Sequence, residues 1–197
     1  MKYCSLWSEG VKTFAEKKGV CVYDLKGKKA SRKNFESYVF ANAPSLIFFN
    51  GHGNQEMITG YDNEPLMDMS STPTPSIIYA RSCDAAQVLG PSLVKSGLRA
   101  FVGYIRKFTL FYNVAHIMRP LQDPMARIFL ESSNLVVSTL LKEHTVAEAD
   151  QRAKSAMFKN LKRMLSSAAN FEERYAAPAL WSNMTAQVVL GDYNATI

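Results

Sequence analysis

Cysteine is scarce in this sequence: Cys4, Cys21 and Cys83 are the only three in 197 residues, an odd number with no CxxC spacing. That pattern argues against a disulfide framework and leaves reduced thiols, any one of which can serve chemistry. Long apolar runs are missing as well. The densest, Leu46-Ile47-Phe48-Phe49, is strand-length, far short of the ~18–20 residues of a membrane-spanning helix. After Met1-Lys2 the charges Glu9, Lys12, Glu16, Lys17 and Lys18 leave no apolar segment for a secretory signal. A cytoplasmic protein without membrane contact is therefore expected. Internal repeats and low-complexity tracts are absent, and 47% hydrophobic with 20% charged residues excludes disorder or a collagen-like chain. One domain over residues 1–197 fits the length, at roughly 100–200 residues per domain. Such a domain buries roughly 70% of its unfolded surface and needs neither metal nor cofactor to fold.

Acidic residues are thin at one end. Residues 1–34 hold nine Lys/Arg against three Asp/Glu, a balance of +6, whereas residues 35–197 hold fourteen of each. A basic strip attracts nucleic acid or acidic partners. Here Lys26-Gly27-Lys28-Lys29 and Arg32-Lys33 are short and lack interleaved aromatics, so a solvated loop and helix start is expected and nucleic acid is not.

Leu6, Val11, Phe14 and Ala15 recur at helical spacing up to a stop at Gly19. Residues 20–23, Val-Cys-Val-Tyr, read as a strand. Ser31 can cap a helix carrying Phe35, Tyr38 and Val39 that ends before Pro44, and residues 45–49 form the next strand. The stretch to Ser76, broken by Gly60, Pro65, Pro73 and Pro75, reads as a loop region with room for a short hairpin. Strands follow at 77–80 and 100–104, separated by a helix over 85–95, and then mostly helical text from Phe108 to about Ser182 with breaks at Pro120, Pro124 and Pro178. Within it, 145–165 is the most regular segment, and 187–190 closes as a last strand. The alternation predicts a mostly parallel sheet between helical layers, a three-layer α/β/α sandwich.

In such sheets functional groups gather outside the carboxyl ends of the strands. Two strand exits stand out, Asn50-Gly51-His52-Gly53-Asn54 and Arg81-Ser82-Cys83-Asp84. A thiol needs a base to become a good nucleophile at neutral pH, and His52 can supply it to Cys83. A helix starting at Ala85 would add the positive end of its dipole. Gly51 and Gly53 allow a sharp turn, and the Gly53 and Cys83 N–H groups could form an oxyanion hole. Cys4 and Cys21 read as structural. His116 and His144 lack Cys or carboxylate partners at ligand spacing, so no metal site is expected.

An apolar strand ending in His-Gly, then another ending in a small residue and Cys, resembles the paired signature of the caspase-haemoglobinase fold, the clan CD cysteine peptidases. The segments SLIFFNGHG at 45–53 and SIIYARSC at 76–83 look like those blocks. SGLRAFVGY at 96–104 and LWSNMTAQVVLGD at 180–192 are similar to later strands of gingipain-type and CHAT members. The resemblance covers most of residues 20–192. It implies a caspase-like fold and an endopeptidase that cleaves protein or peptide substrates with a His52–Cys83 dyad and no third catalytic residue. It also implies a prokaryotic setting of defence or regulated proteolysis.

The departures are specific. The caspase pentapeptide Gln-Ala-Cys-x-Gly is absent, and so is the metacaspase Asp-x-Cys, because position 81 is Arg. In several branches of the clan the residue two before the cysteine lines the S1 pocket. Arg81, with Asp84 beside it, is then the expected substrate-binding element, and its charge suits an acidic P1 side chain; the alternatives are an Arg81–Asp84 pair or an Arg81 that points away. A latent or non-catalytic domain that awaits an activating protein partner or processing is the second reading, with residues 60–75 and 108–138 as candidate control segments. The first strand of many clan members is short or absent before Leu6, so the expectation is either a start inside the fold or a start placed too late.

Overall fold

The computed structural model describes residues 2–71 and 76–197, with the side chain of Lys2 left aside. Its centre is a four-stranded sheet built from β1 (Leu46–Asn50), β4 (Ile77–Arg81), β5 (Ala100–Tyr104) and β6 (Gln187–Gly191) in the order β1-β4-β5-β6. The first three strands run parallel and β6 closes the edge antiparallel. A separate antiparallel hairpin pairs β2 (Met57–Thr59) with β3 (Pro65–Asp68).

Side chains alternate across a strand, and here both faces are apolar. Ile77, Tyr79, Ala100, Val102 and Tyr104 enter one core, while Ile78, Ala80 and Phe101 enter another on the opposite face. Six α-helices supply the cover. On the first face lie α1 (Lys2–Lys17), α4 (Pro124–Leu140) and α5 (Val146–Met164), contributing Val11, Ala15, Val136, Val137, Leu140, Ala149 and Ala153. On the second lie Phe35 of α2 (Arg32–Asn42) and Leu89 and Leu93 of α3 (Leu89–Lys95). The sixth helix, α6 (Phe171–Ala186), packs Ala176, Ala177 and Leu180 against Met157, Leu161 and Met164 of α5. The chain is thus mixed α/β with a mostly parallel sheet, compatible with an α/β sandwich.

Local signals explain most boundaries. Ser31 caps α2 by accepting from the Asn34 N–H, and Ala43 turns left-handed before Pro44. Thr145 with Glu148, and Asn170 with Glu173, form reciprocal capping boxes at the starts of α5 and α6.

Four expectations need correction. Residues 20–23 form no strand. They cross the surface irregularly, with Asp24 held by Lys12 at 3.1 Å and Lys26 at 3.0 Å, and Val22 only touches the core beside Leu46 and Phe48. The apolar run was long enough to suggest a strand, but it lacks a ladder partner. The helix after Cys83 starts at Leu89 rather than Ala85, because Asp84 takes a left-handed conformation (φ 58°) and residues 84–88 form turns. Asp is among the few non-glycine residues that tolerate that region. Residues 105–123 are irregular apart from two short 3₁₀ turns, so helix begins only at Pro124. Pro178, expected to break the chain, lies inside α6. Part of the expected proline-rich control segment, residues 72–75, lies outside the described residues.

Candidate active site

Parallel pairing of β1 with β4 places Asn50 opposite Arg81 in register. The chain then runs two residues beyond each strand to His52 or Cys83, so both residues lie at one carboxyl edge of the sheet. The two turns touch. Gly53 lies so close to Ser82 that a Cβ built on it would come within 2.1 Å of Ser82 Oγ and 2.7 Å of the Met57 carbonyl oxygen. Only glycine fits there without displacement. Leu89 N–H donates to the Gln55 carbonyl at 2.8 Å, which ties the start of α3 to the loop after His52.

The hydrogen bonds of the His52 turn orient Gly53. Thr59 N–H donates to His52 O and Asn54 N–H to Met57 O, each at 3.0 Å, flanking an antiparallel Gly53–Ile58 bridge. In that arrangement the central pair directs its own N–H groups away from one another. Gly53 N–H is left without an acceptor among the described residues, and so is Cys83 N–H. His52 is exposed and Cys83 half-buried, and no hydrogen bond joins the His52 ring to the Cys83 thiol.

Arg81 points elsewhere than its neighbours in sequence. On the Tyr79 face of β4 it is 2% exposed. Its guanidinium donates to Asn134 Oδ1 of α4 and lies over the Phe48 and Phe108 rings at 5.1 and 5.9 Å. Among the described residues Nε and Nη1 have no hydrogen-bond partner, nor do the buried Oδ1 of Asn50 and Oγ of Ser82. Asp84 does not pair with Arg81; it accepts from Gln87 Nε2 at 3.2 Å. Helix α1 closes over this corner: Asn134 Nδ2 donates to the Trp7 carbonyl at 2.8 Å, and Asn50 Nδ2 to Ser8 Oγ at 2.9 Å.

Asn50, Ser82 and Asn134 were not singled out as site residues from sequence. Asn50 and Ser82 sit within the two motifs, and Asn134 is a polar residue in a largely apolar helix. That break in pattern is the available signal.

Elsewhere, Cys21 is exposed and Cys4 half-buried in α1. His144 does meet a carboxylate, Glu148 Oε2 at 3.3 Å, within the α5 cap. Among the described residues no three His, Cys, Asp or Glu side chains group closely enough to hold a metal ion, and no helix is long and apolar enough to cross a membrane. In the basic N-terminal strip, Lys26 is engaged by Glu9 and Asp24, and Arg32 by Glu36 and Asp68. Comparison of the chain with protein-family models, curated proteins and solved structures returned no match.

Proposed function

We propose that the chain is a cysteine endopeptidase with a caspase-like fold, acting through a His52–Cys83 dyad and cleaving after acidic residues. The observation that carries this reading is the contact of the two strand exits, Gly53 backbone against Ser82, with the Gly53 and Cys83 N–H groups left without acceptors among the described residues. In the proposed reaction His52 takes the Cys83 proton and Sγ bonds to the scissile carbonyl carbon. The carbonyl oxygen, now negative, accepts from Gly53 and Cys83 N–H. Collapse breaks the C–N bond, the amine leaves with the proton from His52, and water hydrolyses the thioester. Arg81, a buried cation with two guanidinium nitrogens, Nε and Nη1, unpartnered among the described residues and with no carboxylate partner among them, suits an acidic P1 side chain.

One observation favours a second reading, a latent form. Arg81 is closed off beneath α1, and the cleft of ≈ 340 Å³ lined by Phe35, Val39, Leu66 and Met67 belongs to the opposite face of the sheet. Substrate entry then requires α1 or the Phe108 segment to move, which an activating partner or processing would supply.

Irreversible thiol-directed peptide probes with Asp, Arg or Leu at P1, with labelled sites mapped by mass spectrometry, test both readings. Labelling at Cys83 that is strongest with Asp and lost in His52→Ala is the expected result. An Arg or Leu preference discards the role of Arg81. No labelling at Cys83 while Cys4 or Cys21 reacts leaves the latent form.

A further inference from the structure

Between Asp84 and Asp123 the sequence holds no acidic residue, while Lys95, Arg99, Arg106, Lys107 and Arg119 fall in that span. Its second half leaves the sheet after β5 and projects apolar side chains into solvent. Met118 is 84% exposed and Val114 71%, with Tyr112, Ile117 and Leu121 about half-exposed. Helix α6 offers a second row. Its inner face, Ala176, Ala177 and Leu180, is buried, yet Phe171 (81% exposed), Tyr175 and Trp181 face outward. The rows are continuous through Phe111, whose ring stacks on Phe129 below and meets Tyr175 edge-on at 5.9 Å.

Cations border this surface. Lys107, Arg119 and Arg174 are exposed, and Arg106 donates to Thr185 Oγ1 at the end of α6, at 2.6 Å. The nearby acids are largely engaged: Asp123 is buried as the cap of α4, and Glu173 is held by Arg163 at 2.7 Å. Glu172 remains at the far end of the α6 row.

From this combination we propose that the surface formed by residues 112–121 and the outer face of α6 docks onto an anionic lipid bilayer. A second copy of the chain would set these cations against themselves. Single side chains that project this far also suit a medium that deforms around them, and apolar insertion plus basic residues is the two-part attraction that peripheral binding needs. The proposed contact is peripheral, a mode of binding other than a spanning helix, and none of the described helices is long and apolar enough to cross a membrane. Because β5 and β4 are parallel, the docked surface adjoins the sheet edge that carries His52 and Cys83. The proposal does not depend on peptidase activity.

The test is co-sedimentation of the intact chain with phosphatidylcholine vesicles with and without phosphatidylserine. Phosphatidylserine is expected to tighten binding roughly tenfold or more, with a salt-dependent part. Val114→Asp combined with Met118→Asp, and separately Trp181→Asp, should each lose most of it while circular dichroism stays unchanged. Lys28→Glu with Lys29→Glu, which reverses charge elsewhere, should bind nearly as the parent does. The proposal is overturned if the parent chain stays in the supernatant, if the apolar variants bind equally, or if the N-terminal reversal abolishes binding. A concentration-dependent dimer lost in the apolar variants overturns it too, by making the surface a self-interface.

Discussion

Two polar clusters are buried against the same face of the sheet, and they are built differently. In one, the Tyr79 and Tyr104 hydroxyls meet at 3.0 Å, Tyr104 donates to Gln187 Oε1 at 3.0 Å, Gln187 Nε2 donates to Asp150 at 2.8 Å, and Lys154 pairs with Asp150 at 2.9 Å near the surface. Burial, then the adjacent Tyr79 hydroxyl, hold the Tyr104 phenol well above its ordinary range, so it stays neutral and can donate. In the other, among the described residues, Arg81 has one polar side-chain partner, and Asn50 Oδ1 and Ser82 Oγ have none. A satisfied network rigidifies a core, whereas an unsatisfied buried cation destabilises it unless something else uses it. The contrast separates a cluster whose polar groups are satisfied within the fold from one whose groups are not, and which under the proposed function meets the substrate.

The sharpest way to test that division is at the thiol. Cys83→Ala should lower turnover of a cleavable peptide by about a thousandfold or more with no change in thermal midpoint, and retained turnover would remove the dyad. Gly53→Ala comes next, since its methyl would collide with Ser82 Oγ and the Met57 carbonyl. Denaturant unfolding should show a loss of about 1–3 kcal/mol, together with weakened probe labelling as the His52 turn shifts.

Tyr104→Phe breaks the satisfied cluster by leaving both Tyr79 Oη and Gln187 Oε1 without that partner, at a cost of about 1–3 kcal/mol. Arg81→Met should do the opposite, leaving stability within about 1 kcal/mol of the parent or raising it, while erasing any preference for an Asp probe. Equal losses in these two variants would collapse the comparison.

The smallest effect lies outside both clusters. The Ser70 hydroxyl and then Arg32 hold the Asp68 carboxyl at about 2, below its ordinary 3.8. Its folded value is depressed, so its contribution is present above pH 3.8 and is lost as pH falls toward 2. With partial solvent screening that contribution is about 1 kcal/mol. Asp68→Asn should flatten this part of a stability-against-pH curve and leave the neutral range little changed.

How much of this was legible depends on range. Strand-length apolar runs at 46–49, 77–80, 100–104 and 187–190 pointed to the four strands, and the Ser31 cap and the 145–165 periodicity marked their helices, because those signals act within a few residues. The sequence order of two strand exits ending in His-Gly and Cys likewise pointed to one edge of a parallel sheet. Residues 20–23 misled for the converse reason: their composition suits a strand, but a strand needs a neighbour, and among the described residues none pairs with the outer edge of β1.

The sequence by itself determined the mixed α/β class of fold and the two turns that carry His52 and Cys83, whereas the contact with Ser82 that demands glycine at position 53 came from the meeting of those turns. Only the tertiary structure decided what faces what. It turned Arg81 away from Asp84 and under α1, placed Asn134 from α4 against it across 53 positions of chain, and left Phe171 and Trp181 of α6 exposed. These outcomes depend on packing between elements distant in sequence, where no local propensity or spacing fixes which buried donor finds an acceptor and which is left open.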